Sequence, residues 1–167
     1  DYATFVVIRE EFNMLPWWQW PKEFKIKNDK FLKLWIKEKS EQILIKKLIQ
    51  WHLDRQWRAV KDIAKTYNVK LIGDLPFYVS RDSADVWSNK SLFSIFKNGS
   101  LIFQSGVPPD YFSSTGQLWG TPTYFWSKHK RSNFHWWRKR FKRQLELVDL
   151  LRIDHFRGLS GYWRAVS

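Results

Sequence analysis

Twice along this chain an amphipathic helical stretch runs into a short apolar segment that ends on an aspartate, and no other feature constrains the fold as much. In the first instance Ile45, Leu48, Ile49, Leu53, Trp57, Val60, Ile63, Ala64 and Tyr67 recur at three- and four-residue steps. That spacing predicts one long helix over 41–67, or two joined near Asp54, with an apolar stripe that must pack on something. A β-branched run at 69–72 follows as a short strand and closes on Gly73-Asp74-Leu75-Pro76. In the second instance Phe134, Trp137, Phe141, Leu145 and Val148 share one helical face over 133–148, and Leu150, Leu151 and Ile153 lead to Asp154. Such alternation argues for a parallel α/β sheet, in which both strand ends emerge on the same side.

The second strand end reads Leu150-Leu151-Arg152-Ile153-Asp154-His155-Phe156-Arg157-Gly158. Side chains repeat every two residues along a strand, so Arg152 and Asp154 share a face of an expected buried strand. A guanidinium beside a carboxylate favours the ionised form. Taken alone, these residues fit a structural ion pair as well as a catalytic group. In a (β/α)₈ barrel, carboxylates at the carboxyl ends of strands are candidate catalytic or substrate-binding groups. Two such units fall short of the roughly 250 residues of a closed barrel. The fold expected is therefore a partial (β/α)₈ TIM barrel, an internal segment of one larger catalytic domain spanning 1–167, with an inserted hairpin and substrate loop at about 89–122.

Elsewhere Phe5, Ile8 and Phe12 predict a helix over 2–12, and Pro16 and Pro21 then break the pattern around Trp17, Trp18 and Trp20. Residues 93–103 read as a hairpin, with Asn98-Gly99 supplying two positive-φ positions between Ser94-Ile95-Phe96 and Leu101-Ile102-Phe103. Residues 105–122 are rich in Gly, Pro, Ser and Thr yet carry Asp110, Tyr111, Phe112, Gln117 and Trp119, the signature of a long functional loop. A chain with 44% hydrophobic and 19% aromatic residues has ample material for a core, which excludes intrinsic disorder. No apolar run of about 18 residues and no export signal is present, so neither a membrane span nor secretion is expected. The absence of cysteine excludes disulfides and thiolate metal sites, and the cytosol is the expected compartment.

The net charge of +13 raises nucleic acid as a partner, but the basic residues are spread along helical stretches and read as a solvated surface. Twelve tryptophans are harder to set aside, because indole faces stack on bases and also pack on the apolar faces of sugars. Trp57 and Trp137 lie on helical apolar faces and are expected in the core.

Five stretches together resemble the amylomaltase family, the 4-α-glucanotransferases or disproportionating enzymes of the α-amylase clan. They are Gly73-Asp74-Leu75-Pro76 with Tyr78-Val79, Asp82-Ser83-Ala84-Asp85-Val86-Trp87, Gly106-Val107-Pro108-Pro109-Asp110-Tyr111-Phe112-Ser113, Thr115-Gly116-Gln117-Leu118-Trp119-Gly120, and Arg152-Ile153-Asp154-His155-Phe156-Arg157-Gly158. The likeness runs from about residue 1 to residue 166, with Gln56-Trp57 and Trp136-Trp137 included.

The resemblance implies a retaining glycosyl transfer in which Asp154 is the nucleophile, Arg152 keeps it ionised, and an acceptor 4-hydroxyl takes the glucan chain. It implies that Asp74 and His155 hydrogen-bond the sugar under attack, beside the plainer readings of a turn-ordering carboxylate and a core histidine. Gln117 and Trp119 match the loop over the glucan cleft, with Asp110 contributing from the same loop. For Trp119 a sugar platform stands beside a buried loop anchor, the flanking Gly116 and Gly120 leaving it mobile. The implied partners are α-1,4-glucans and maltooligosaccharides, with no nucleic acid, no membrane, no cofactor and no metal; a plastid stroma replaces the cytosol for a plant protein.

The chain departs from the family at Thr121-Pro122, where Asn-Pro is common, and lacks the histidine that the wider clan carries near Val79. The family's general acid/base glutamate and third carboxylate follow later strands, beyond Ser167, so the chain by itself is expected to be an inactive segment of the enzyme. A non-catalytic glucan-binding module and a basic nucleic-acid binder are the rival classes.

Overall fold

The structure is a computed structural model that describes residues 1–111 and 113–166. Phe112 of the expected substrate loop lies outside the described residues. The chain divides into two compact units, one of Asp1–Lys47, Tyr78–Phe125 and Tyr162–Ser167, the other of Leu48–Phe77 and Trp126–Gly161.

In the first unit the expected opening helix is α1 (Tyr2–Glu11), which buries Ala3, Phe5, Val7 and Ile8. Between Pro16 and Pro21, which break the helical pattern, Trp17–Gln19 forms a single 3₁₀ turn. The short helices α2 (Lys22–Ile26) and α3 (Asp29–Glu38) follow, which the apolar spacing did not announce. They are separated by left-handed Lys27, and Asn28 caps α3 by accepting from the Phe31 N–H at 3.2 Å. Ser83 caps α5 (Ala84–Ser88) in the same way, its hydroxyl accepting from the Val86 N–H at 3.2 Å.

These pieces enclose an aromatic core. The rings of Phe5, Trp20 and Trp87 meet with centroids 5.2 to 5.9 Å apart, tilted or edge-on. Trp17 and Trp87 are fully buried, and the Trp87 indole N–H donates to the Phe24 carbonyl at 2.9 Å.

The hairpin over 93–103 is present as an isolated Ile95–Leu101 bridge, but its turn differs from the expected one. Gly99 has φ +93 while Asn98 is not among the positive-φ residues, so the two-residue turn with both positions left-handed is ruled out. Instead the Gly99 N–H donates to the Phe96 carbonyl and the Phe96 N–H to the Ser100 carbonyl, a longer turn with a glycine bulge. Asn98 uses its side chain, accepting from the Ser100 N–H at 3.0 Å.

The expected long loop at 105–122 is also corrected. It contains most of β2 (Phe103–Val107) and all of β3 (Gln117–Pro122), antiparallel to each other, with β5 (Arg164–Val166) on the other edge of β2. Glycine content suggested a loop, yet Gly106 serves the sheet: a Cβ there would sit 2.1 Å from the Gln117 carbonyl oxygen.

The remaining elements include α4 (Ser40–Thr66), one unbroken helix with no joint at Asp54, of which residues 40–47 count with the first unit. Its apolar stripe does not pack as expected: Leu48, Ile49, Leu53, Val60 and Ile63 are exposed. Trp57, expected in the core, is 37% exposed. Polar anchors hold this stretch instead. The Trp57 indole N–H donates to the Leu147 carbonyl at 2.6 Å, and the Lys61 ammonium donates to the carbonyls of Glu146 and Val148 at 3.2 and 3.3 Å.

The first strand, β1 (Ile72–Leu75), starts later than the β-branched run suggested and takes in Asp74. The helical stretch at 126–147 is split into α6 (Trp126–Arg131) and α7 (His135–Leu147) by left-handed Asn133 and Phe134. Trp137 is buried, as expected, while Phe134 and Leu145 are exposed. β4 (Leu150–Ile153) pairs with β1 in parallel, with Ile72 opposite Leu150 and Asp74 opposite Arg152. The α/β alternation and its parallel pairing are therefore as expected, but β4 is not a buried strand, since Leu150 and Arg152 are exposed. No helix among the described residues is long and apolar enough to cross a membrane.

Candidate active site

The parallel register of β1 and β4 sets Asp74 directly beside Arg152. Arg152 Nε donates to Asp74 Oδ1 at 3.1 Å and Nη2 to Oδ2 at 2.5 Å, a two-pronged guanidinium–carboxylate pair. Asp154 Oδ1 stands 3.9 Å from the same Nη2. Arg152 thus serves Asp74 first, whereas the sequence suggested Asp154. A cross-strand neighbour at the same level is about 4.8 Å away, while the next residue on the same face of a strand is about 6.6 Å along. The Arg152 hydrogen bonds hold the Asp74 carboxyl below the usual carboxylate range, against a smaller opposing effect of desolvation; the Leu75 N–H adds to the lowering. The Arg152 guanidinium is raised in turn by Asp74, with a lesser contribution from Asp154.

The Asp154 N–H donates to the Leu75 carbonyl at 3.1 Å, which carries the strand pairing just past β4. His155 then adopts φ +49 and turns the chain into a 3₁₀ segment, Phe156–Leu159. Its ring lies 6.0 Å from that of Phe77, which packs on Trp137 at 5.5 Å. Gly158 is required by this packing, because a Cβ there would lie 2.6 Å from the Phe77 ring. One supporting residue was missed in the sequence. Arg140 Nη2 donates to the Pro76 carbonyl at 2.6 Å and Nη1 to the Phe77 carbonyl at 3.3 Å, fixing the segment after Asp74. Its only sequence signal is a position three and four residues beyond Trp137 and Trp136, over whose rings its guanidinium lies at 5.4 and 5.3 Å.

In the first unit, Gln117 and Trp119 project from β3 two residues apart, and the Trp119 indole N–H donates to Gln117 Oε1 at 2.9 Å. Gly116 and Gly120 flank them at φ +72 and +66. Trp119 is 38% exposed, with the Tyr78 ring 5.8 Å from its own. Asp110 orders its loop: its carboxylate accepts from the Ser113 N–H at 2.9 Å while its own N–H donates to the Ser113 carbonyl. The structure therefore groups Asp74, Arg152, Asp154 and His155 in one unit, and Gln117 with Trp119 in the other. Among the described residues no group of three or more His, Asp or Glu side chains is arranged to hold a metal ion. Chemically, the first group offers two solvent-accessible carboxylates around one guanidinium, and the second a partly exposed indole beside a primary amide.

Comparison with known proteins agrees on one family. The family model described as 4-alpha-glucanotransferase matches residues 1–166. The chain is 44% identical over 164 residues to a 4-alpha-glucanotransferase of Synechocystis, covering 98% of this chain and 32% of that protein. It is 42% identical to the Clostridium butyricum 4-alpha-glucanotransferase, covering 98% and 34% of the two. It is 40% identical to the chloroplastic/amyloplastic 4-alpha-glucanotransferase of Solanum tuberosum, covering 100% and 29%. Among solved structures, an amylomaltase from Streptococcus agalactiae in complex with acarbose superimposes with a TM-score of 0.94 at 36% identity, over 99% of this chain and 34% of that one. The chain thus spans about a third of the length of these relatives.

Proposed function

Because the chain belongs to the 4-alpha-glucanotransferase family, we propose that it forms the nucleophile-bearing part of an enzyme that moves α-1,4-glucan segments onto the 4-hydroxyl of glucose or another glucan. The observation that carries this reading is the parallel β1–β4 pair, with Asp74, Arg152 and Asp154 gathered at its carboxyl end. In this reading β1 and β4 are neighbouring strands of a larger (β/α)₈ catalytic domain, and residues 89–122 are an insertion into it.

Asp154 attacks the anomeric carbon, the glycosidic bond breaks, and a glycosyl ester forms while a general acid protonates the leaving 4-oxygen. The acceptor hydroxyl then displaces Asp154 and gives up its proton to the same group, now a base. That acid is a carboxyl group outside residues 1–167. Asp74, kept ionised by Arg152, and His155 accept and donate hydrogen bonds to hydroxyls of the sugar under attack. Gln117 and Trp119 bind a glucan residue, with Asp110 shaping their loop. Maltooligosaccharides are the substrates, no cofactor takes part, and the enzyme works in the cytosol or, in a plant, in the plastid.

The test is Asp154→Asn in the full-length transferase supplied with maltotriose. Transfer products should fall by about four orders of magnitude, with no glycosyl-enzyme detected by mass spectrometry and with acarbose binding retained. Turnover within about tenfold of the unaltered enzyme would remove Asp154 as nucleophile.

A further inference from the structure

Two backbone carbonyls just past the end of β1 are held by a side chain from α7. The last pair of the β1–β4 ladder is Leu75 with Ile153, so Pro76 and Phe77 lie beyond it. A chain that leaves a ladder needs other partners for its carbonyls. Arg140 provides them, Nη2 donating to the Pro76 carbonyl at 2.6 Å and Nη1 to the Phe77 carbonyl at 3.3 Å. The guanidinium lies in turn over the rings of Trp136 and Trp137, buried residues of the same helix, at 5.3 and 5.4 Å from their centroids. One planar group thus ties the buried face of α7 to the segment that follows Asp74.

That segment reaches both strand ends. Backward along the chain, Pro76 follows Leu75, whose carbonyl accepts from the Asp154 N–H at 3.1 Å. Forward, the buried Phe77 ring lies 5.5 Å from the Trp137 ring and 6.0 Å from the His155 ring, and a Cβ added at Gly158 would sit 2.6 Å from it. Phe77 is therefore a floor under the turn from His155 to Gly158 that follows Asp154. A shift of its main chain is felt at Asp74 on one side and at the Asp154 turn on the other, because close-packed groups transmit displacement.

We propose that Arg140 is a positioning residue for glycosyl transfer, holding the main chain of Pro76 and Phe77 so that Asp74 and Asp154 keep the spacing the reaction needs. The proposal rests on Asp154 being the nucleophile, as described above. Small misplacements of reacting groups are costly even when their cause is remote from the chemistry. A guanidinium suits this task, because its rigid fork meets two successive carbonyls at once, whereas an ammonium is a compact charge on a flexible stem. The effect is on geometry, so it is felt in the reacting step more than in the binding of glucan.

The experiment follows kcat and KM for maltotriose disproportionation in the full-length transferase. Arg140→Met keeps an unbranched stem against the indoles and removes the fork; it should lower kcat about thirtyfold with KM within about twofold. Arg140→Lys returns a charge without the fork and should recover part of the loss, to about fivefold below the unaltered kcat. If the methionine variant does not fold, the lysine variant takes its place. Arg143→Met is the control for a merely structural role. Arg143 lies three residues further along α7 and binds Asp54 and Glu146, and its loss should leave kcat within about twofold. A kcat within about twofold of the unaltered enzyme in Arg140→Met, or equal losses in the Arg140 and Arg143 variants, would overturn the positioning role while Asp154→Asn stays inactive. Turnover retained by Asp154→Asn would instead remove the nucleophile and the positioning role with it.

Discussion

Each unit is stabilised internally by different physics. In the first, the fold is fixed by rings: Trp17, Trp20, Trp87 and Phe93 lose nearly all contact with solvent. In the second, Leu75, Phe77, Trp137 and Val148 are buried too, and polar groups add ties to the strand pair beside Asp74 and Asp154. Asp149 accepts from the Leu71 N–H at 2.9 Å, Lys61 spans two carbonyls, and Asp54 binds both Arg143 and Arg58. Apolar side chains such as Ile72 and Leu150 stay exposed there. The difference suits the two tasks of the proposed function. In that reading a stacking platform is served by a rigid apolar backing, which rings provide through area and shape. A reacting carboxylate is served by solvent and charge around it, which polar groups provide and pH and salt can alter.

Three substitutions and one control sharpen or break that contrast. Trp87→Ala strikes the aromatic frame and removes the hydrogen bond to Phe24, so urea unfolding should show a loss of about 3–5 kcal/mol. A loss below about 1 kcal/mol would mean that rings do not carry the first unit. Gly158→Ala forces a methyl group into the Phe77 ring and should cost about 1–3 kcal/mol in the second unit. Gly161→Ala is its control, with open space at the site and an expected change of under about 0.5 kcal/mol. Equal effects from the two alanines would discount the packing of Phe77 beneath the Asp154 segment.

The smallest effect is electrostatic. Arg152→Gln removes the hydrogen bonds that lower the Asp74 pKa, so the Asp74 carboxyl should titrate at higher pH in the variant than in the unaltered protein by carbon-detected NMR. The sign follows from the direction of the shift. A carboxyl with its pKa depressed on folding adds stability that is present above its unfolded pKa and is lost as pH falls through its folded pKa. Unaltered and Arg152→Gln proteins should therefore differ most at neutral pH, converge in acid, and differ less in high salt because the pair is exposed. A difference that grows as pH falls would contradict the pairing.

The helix-to-strand order, the α1 helix and the aspartates at the strand ends were legible in the sequence, because apolar periodicity and short β-branched runs are local signals. The stretch at 105–122 was misread as a loop, because its glycines serve a close strand approach that no neighbouring residue reveals. Helices α2 and α3 were missed, since left-handed Lys27 and the Asn28 cap divide a stretch whose composition is uniform. The stripe of α4 was correctly read as apolar and wrongly expected to be buried, for periodicity reports a face and not what covers it.

By itself the sequence determined the family, through its matching motifs, and which groups are candidates for its chemistry: Asp154 and Asp74 at strand ends, Gln117 and Trp119 in one short stretch. Only the tertiary structure decided how they are partnered. Arg152 binds Asp74 in preference to Asp154 because strand register, set by residues 78 positions apart, puts the two side by side. The Tyr78 ring meets those of Trp119 and Tyr162 because folding joins segments that have no local reason to meet. Local pattern fixes the type of group at each position; the partner it meets depends on long-range packing, which no short window of sequence encodes.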